Sequence, residues 1–268
     1  MPLHLETLTK KDTMEAISAA MKKIETCKSI WRKKDGKYVL FKEDICACSN
    51  NEKIGECIYT LGVSEEGYTL LDLDITVKNT SNVMLQFDEL LEGSSDANEY
   101  YNVEYNDSIF QVETVNRHML ADKDLTLKKH TVNLCAFPFK ISFYETIQKV
   151  SEQFGLNKEV EIPQVGKKIV NIAGDFMAAS DLFKSDSDIT ETFSVVVGKV
   201  DKLKYVEIDF FGEKETCVII DIETHVGNLT TIIGKDIFDI SDMKVGNYVF
   251  MCADIKADFN IKNKYEQI

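Results

Sequence analysis

The 268-residue chain contains few prolines, histidines and tryptophans: three, four and one, respectively. It has no run of 18 apolar residues, which excludes a hydrophobic transmembrane helix, and its first residues lack the pattern of a signal peptide. Glycine-rich phosphate loops, the nucleophile elbow of hydrolases and the protein-kinase signatures are also missing. These absences favour a non-catalytic protein without a cofactor and lead us to expect a cytoplasmic location.

Acidic residues outnumber basic ones, 45 to 31, and the formal net charge is -14. Nucleic acids and anionic membranes are bound mainly through lysine and arginine, so this balance disfavours both as partners. An apolar content of 44% indicates a folded globular chain. The seven cysteines are an odd number and lie mostly in apolar runs, which favours buried thiols in a reducing compartment over a disulfide framework.

The N-terminal part is predicted to combine two or three helices with a sheet. Thr9 and Asp12 form a capping box, and apolar residues at helical spacing then predict a helix to about residue 32. The members of that stripe are Met14, Ile17, Met21, Ile24 and Trp31. Residues 38–141 read mostly as strands, and in Tyr68–Val77 the apolar residues alternate with Asp72, Asp74 and Thr76. Ser142 and Glu145 predict a second helix, and residues 176–183 a third.

The C-terminal part is predicted to be a small β-domain. Five strand candidates follow the polar segment 184–191: Phe193–Val200, Lys204–Phe211, Cys217–Glu223, Leu229–Ile233 and Tyr248–Ala253. A short helical piece, Ile237–Met243, precedes the last of them. Their number and spacing resemble those of an OB-type barrel. We therefore expect an α+β protein with a domain over residues 1–187 and a five-stranded antiparallel OB-like barrel or sandwich over residues 188–268.

One strand face carries three side chains that could bind a metal. Asp221, Glu223 and His225 alternate with apolar residues, and such oxygen and imidazole ligands suit a divalent cation or a general acid and base. The ordinary interpretation is a solvated face of an antiparallel sheet. Cys46 and Cys48 invite a zinc interpretation, but their spacing is too tight and no second pair of ligands follows.

Aromatic and basic residues indicate a second kind of site. Trp31, Arg32 and Lys33 lie in a basic stretch, and Tyr205 and Phe211 lie in the predicted barrel. Aromatic rings beside cations hold single-stranded nucleic acid by stacking and charge. The simpler interpretation is a helix end with lysines that compensate its dipole, and acidic Glu207 and Asp209 would repel phosphate.

Three functions of different classes remain open. The first is a non-catalytic binding or assembly protein that acts through protein contacts or self-association. The second is a single-stranded nucleic-acid binder that uses the barrel, although the net charge disfavours it. The third is a metal-dependent enzyme centred on Asp221, Glu223 and His225. The absence of catalytic motifs favours the first.

Overall fold

A computed structural model of the chain shows a protein built almost entirely from β-strands. The residues it describes are 5–10, 13–26, 30–33, 39–64, 67–79, 81–91, 99–106, 108–115, 124–153, 159–162, 166–169, 174–179, 193–210, 212–259 and 265–267. Within these ranges lie a 3-10 turn (Leu5–Thr7), helix α1 (Thr13–Thr26) and helix α2 (Ile147–Gln153).

The strands form three sheets. In chain order they are β1 (Ile30–Lys33), β2 (Val39–Cys46), β3 (Lys53–Ser64), β4 (Gly67–Val77), β5 (Asn82–Leu90), β6 (Glu99–Tyr105), β7 (Ser108–Val115), β8 (Lys128–Tyr144), β9 (Glu159–Ile162), β10 (Gly166–Ile169), β11 (Phe176–Ala179), β12 (Ser194–Phe210), β13 (Glu213–Thr224), β14 (Gly227–Gly234), β15 (Tyr248–Asp258) and β16 (Tyr265–Gln267). Strands β9 and β10 form a separate hairpin.

The nine-stranded sheet closes on itself twice. One circuit of hydrogen-bonded neighbours is β5-β6-β7-β15-β8 and back to β5. The other is β12-β13-β14-β8-β15 and back to β12. All these pairings are antiparallel except β7–β15 and β14–β8, which are parallel. We call the result the double barrel, because two five-stranded barrels share β8 and β15.

The shared strands explain why the two barrels have one continuous interior. One edge of β8 pairs first with β5 and then with β14, and one edge of β15 pairs first with β12 and then with β7. Side chains on one face of each strand therefore enter both barrels. The resulting core contains Val132 and Ala136 of β8 together with Val249 and Ile255 of β15. Burial of each large aliphatic side chain contributes roughly 1.5–3 kcal/mol.

A five-stranded sheet in the order β16-β1-β2-β3-β4 packs on the outside of the double barrel. We call it the N-terminal sheet. Its buried face contributes Val39, Tyr59 and Ile75 to a second core, which also contains Phe137 of β8 and Ile232 of β14. Leu8, which follows the 3-10 turn, and Ile24 of α1 join the same core. The chain thus buries β-strands against β-strands, with α1 at one side.

The predicted α+β class is wrong, and so is the prediction of a small five-stranded barrel built from C-terminal strands alone. Two segments expected to be separate strands are one 17-residue strand, β12, with an irregular register between Val200 and Lys202. The fifth strand of the C-terminal circuit is β8, from the N-terminal part of the chain. Closure thus depends on pairing between strands far apart in sequence, which local patterns do not report.

The helix predictions need correction. The first helix ends at Thr26, and Trp31 lies in β1, where it pairs with Leu40 and Gln267. The second helix begins at Ile147, because Phe143 continues β8 into the barrel core. In place of a third helix, Phe176–Ala179 forms β11 beside β12, with residues 180–183 outside the described part. Residues 237–243 form turns.

The predicted domain boundary at residues 187 and 188 lies outside the described residues and stays a prediction. Strands from both sides of it nevertheless pair in one sheet, since β8 and β15 are hydrogen-bonded over most of their length. Terminal strand β16 likewise pairs with β1 of the N-terminal sheet.

Candidate ligand-binding cleft

A row of outward-pointing side chains crosses the double barrel beneath the N-terminal sheet. We call it the polar row; it runs through Glu113 of β7, Lys256 of β15, Cys135 of β8, Thr230 of β14, Asp221 of β13 and Lys202 of β12. Each member is the register partner of the next. The alternation of strand side chains puts these residues outside, because neighbours such as Val112, Ile255 and Leu229 point into the core.

One end of the polar row is buried. Lys256 Nζ lies 2.6 Å from Asp74 Oδ1 and 3.2 Å from Glu113 Oε2, and all three side chains are at most 3% exposed. Asp72, two residues before Asp74 on β4, is also buried, and neither of its carboxyl oxygens has a hydrogen-bond partner among the described residues. We call these four residues the ion cluster. Three carboxyl groups thus surround one ammonium group at the contact between β4 and the double barrel.

Burial decides the charge states of the ion cluster. It raises the pKa of Asp72 to about 8, and the negative charge of Asp74 adds to this effect. Burial also raises the pKa of Asp74, although Lys256 opposes the change. For Lys256, burial alone would lower the pKa, but Asp74 and Glu113 outweigh it and raise the pKa well above its usual value. At neutral pH, Lys256 is therefore charged and Asp72 holds a proton.

Asn79 ties the end of β4 to the double barrel between the two ends of the row. Its Nδ2 donates to the backbone oxygens of Leu134 (2.6 Å) and Asn228 (2.9 Å), and its Oδ1 accepts from the Ser81 N–H (2.8 Å). The amide thus uses two donated hydrogen bonds and one accepted hydrogen bond to hold the end of β4 in place.

The other end of the polar row opens into a cleft of about 240 Å³. One wall comes from the N-terminal sheet, where β3 begins and β4 ends, and the other comes from β12, β13 and β14. Four lysines line it, Lys53 and Lys78 on the first wall and Lys202 and Lys204 on the second. Among the described residues that line it, the acidic ones are Glu52 and Asp221. The cleft therefore has a local excess of positive charge on a strongly acidic protein.

Two of the four lysines already have close carboxylate partners. Lys204 forms an ion pair across the cleft with Glu52, and Lys53 pairs with Glu56 (2.5 Å) and Asp44 (2.9 Å). In the part of the chain that the structure describes, the ion pair of Lys202 is with the adjacent Asp201, at 3.3 Å, and the Lys202 side chain is 70% exposed. Lys78 is exposed and has no ion pair within the described part of the chain. Lys78 and Lys202, on opposite walls, are the cations most available to a ligand.

A close backbone approach shapes the first wall. Gly55 of β3 pairs with Val77 of β4, and a Cβ atom at Gly55 would lie 1.9 Å from the Thr76 carbonyl oxygen. No larger residue fits this position without a shift of the backbone. The glycine therefore allows β3 and β4 to meet where they border the cleft.

The three residues predicted to bind a metal diverge. Asp221 faces the cleft and accepts a hydrogen bond from Thr230 Oγ1 (2.8 Å), whereas Glu223 is exposed farther along β13. His225 lies in the turn after β13, 2.7 Å from Ser108 Oγ, and burial lowers its pKa. The described ranges contain no group of three His, Cys, Asp or Glu side chains placed to hold a metal ion. The metal hypothesis thus gains no geometric support.

The predicted aromatic and basic site is divided in the same way. Trp31, Arg32 and Lys33 lie in β1, and Phe211 lies outside the described residues. Tyr205 of β12 is 57% exposed, but it alternates with Lys204 and so points away from the cleft. Of the two cysteines considered for zinc, Cys46 is half-buried and Cys48 is exposed.

Sequence reasoning missed both ends of the polar row. In the sequence, Lys256 alternates with Asp254 and Asp258 along β15, so it resembles a residue on the solvated face of a strand. The cleft lysines are equally inconspicuous, because lysines on strands are ordinary surface residues.

Comparison with known proteins adds no family to this geometry. No protein-family model, curated protein or solved structure matches the chain. Among the described helices, none has the length and apolar character needed to cross a membrane.

Proposed function

We propose that this protein is a non-catalytic binding protein that holds an acidic segment of a protein partner in the lysine-lined cleft. The observation that carries the proposal is the position of Lys78 and Lys202, two exposed lysines on opposite walls of one cleft. A carboxylate-bearing segment laid between them would contact both walls. Glu52 and Lys204 already make such a contact across the same cleft.

The rest of the surface strengthens this proposal. The chain carries a net charge of -14, so an acidic ligand is attracted only where lysines are concentrated. Exposed Glu207 and Asp209 follow the cleft lysines on β12 and share the strand face of Tyr205, which points away from the cleft. A long polyanion that extends beyond the cleft would meet these repulsive groups, whereas a short acidic segment would not.

The altered pKa values support binding over catalysis. Groups with shifted pKa values act in catalysis when they line an accessible site. Here Asp72 and Asp74, whose pKa values are raised, are buried at the contact between β4 and the double barrel. Burial raises the pKa of Cys135 to about 12 and that of Cys217 to about 12, so these thiols are protonated and unreactive at neutral pH.

Single-stranded nucleic acid is the alternative ligand, and one observation favours it. Tyr205 is an exposed aromatic residue on the same strand as Lys202 and Lys204. The described residues that line the cleft include no aromatic side chain, however, so among them bases would find no stacking surface beside the lysines. We therefore rank the acidic peptide first.

The test measures the fluorescence anisotropy of a labelled hexaglutamate peptide and a labelled twelve-residue oligothymidine with the full chain. We expect the peptide to bind, and the double variant Lys78→Ala/Lys202→Ala to weaken binding about tenfold or more. Lys149→Ala/Lys214→Ala is the matched control, since it removes the same charge from exposed positions outside the cleft.

If both double variants weaken peptide binding equally, the loss of affinity follows from the change in net charge, and the proposed site in the cleft is wrong. Tight, salt-sensitive binding of the oligonucleotide with no binding of the peptide would establish the alternative ligand.

A further inference from the structure

The two walls of the cleft belong to two different parts of the fold, and the ion cluster joins the same two parts. Asp72 and Asp74 lie on β4 of the N-terminal sheet, while Glu113 and Lys256 lie on the double barrel. Lys78 and Asn79 follow Asp74 by four and five residues and line the cleft. A shift of β4 on the double barrel would therefore move one cleft wall relative to the other.

The ion cluster has more acid than base. The charged groups that face Asp72 are Asp74 on its own strand, Glu113 on β7 and Lys256 on β15. Cys135 of β8 is adjacent but stays neutral, because burial raises its pKa to about 12. When Asp72 is protonated, Lys256 compensates one of the other two carboxylates, and one negative charge stays uncompensated. Ionisation of Asp72 adds a second uncompensated negative charge in a site closed to water.

We propose that the ion cluster regulates the cleft: ionisation of Asp72 loosens the contact of β4 with the double barrel and weakens ligand binding between Lys78 and Lys202. The inference rests on the function proposed above. Its basis is geometric, since the same strand carries the unpartnered carboxyl group and ends in a cleft wall. An unpaired buried charge is costly, and movement that admits water relieves the cost.

The transition is expected near neutral pH. Asp72 has a pKa of about 8 in the folded protein, so it ionises as pH rises from 6.5 to 9. The glutamates of the probe peptide stay ionised throughout this range, and lysine side chains stay protonated. Among the groups named here, Asp72 is the one whose charge changes.

Two measurements on the full chain test the inference, each at pH 6.5 and pH 9. The first is hexaglutamate affinity, and the second is hydrogen exchange of β4 amides, corrected for intrinsic rates. Wild type, Asp72→Asn and the exposed control Asp236→Asn are compared. We expect wild type and the control to lose about tenfold in affinity together with protection of β4, and Asp72→Asn to lose neither.

The same losses in Asp72→Asn as in wild type would overturn the inference. If the peptide binds at neither pH, the proposed function is wrong, and exchange alone decides: loss of β4 protection confined to proteins with Asp72 supports the mobile contact, and unchanged protection refutes it. Should Asp72→Asn fail to fold, Asp72→Ser serves as the neutral variant.

Discussion

The two ends of the polar row carry similar side chains in different surroundings. At the buried end, Lys256 and its carboxylate neighbours are at most 3% exposed. At the open end, Lys204 and Glu52 are 49% and 46% exposed. Water screens the charges of the exposed pair and can take the place of either partner, but it does not reach the buried pair. Similar ion pairs therefore make the buried end a structural contact and leave the open end free to exchange partners.

The largest effect is expected at the buried end. Lys256→Met leaves Asp74 and Glu113 buried without their cation, so the free energy of unfolding should fall by about 3–5 kcal/mol. Urea unfolding at pH 7 measures this change. A loss below about 1 kcal/mol would mean that the carboxyl groups take up protons at little cost, and the contrast between the two ends would disappear.

A second substitution tests the backbone beneath the open end. Gly55→Ala places a Cβ atom 1.9 Å from the Thr76 oxygen, so it should destabilise the protein by roughly 1–3 kcal/mol or more. Gly62→Ala on the same strand is the control, because its Cβ atom would meet only the flexible Leu71 side chain, at 3.3 Å. Equal losses in urea unfolding would show that β3 and β4 adjust freely beside the cleft.

The pH dependence of stability isolates Asp72. Its pKa is about 8 in the folded state and about 3.8 when unfolded, so between these values the folded state retains a proton that the unfolded state has released. The free energy of unfolding should therefore fall as pH rises from 4 to 8. At pH 8, Asp72→Asn should be more stable than wild type by about 1 kcal/mol or more.

Urea unfolding at several pH values, with Asp236→Asn as control, checks this expectation. Asp74 acts in the same direction, because its pKa is also raised. The stabilising contribution of Lys256 is lost only above its normal pKa, outside this window. A rise in stability between pH 5 and 8 would contradict a buried protonated Asp72.

The smallest effect is expected from the exposed pair. Lys204→Met breaks the contact with Glu52, yet both groups keep their hydration, so we expect no measurable change in urea unfolding. A marked loss would show that this pair holds the two walls together and that the open end is structural as well.

Particular strands show how far local patterns reach. The alternation in β4 correctly predicted a strand, but its Asp72 and Asp74 are buried like the apolar residues between them. Lys256, which contacts Asp74, is 182 residues away, and no pattern within β4 reports that partner. The apolar stripe that ended with Trp31 predicted one continuous helix. The helix ends at Thr26, and Trp31 lies in strand β1 because that segment pairs with β2 and β16.

Of the described residues that were proposed as a site, Asp221 is the one among those that line the cleft. The lysines around it come from β3, the end of β4 and β12. Each lysine looks like an ordinary surface residue in its own segment. They form a candidate site only because the fold brings them together around one cleft.

The sequence by itself determined the net charge, the positions of most strands and which side chains alternate along each of them. These are local properties, set by composition and by the two-residue period of extended backbone. The tertiary structure alone decided which strands close the two barrels, where Lys256 finds its carboxylates and which lysines share a cleft. These features depend on pairing between distant segments. The hydrogen-bonding groups of a strand edge and a buried charge both need partners, and those partners come from other parts of the chain.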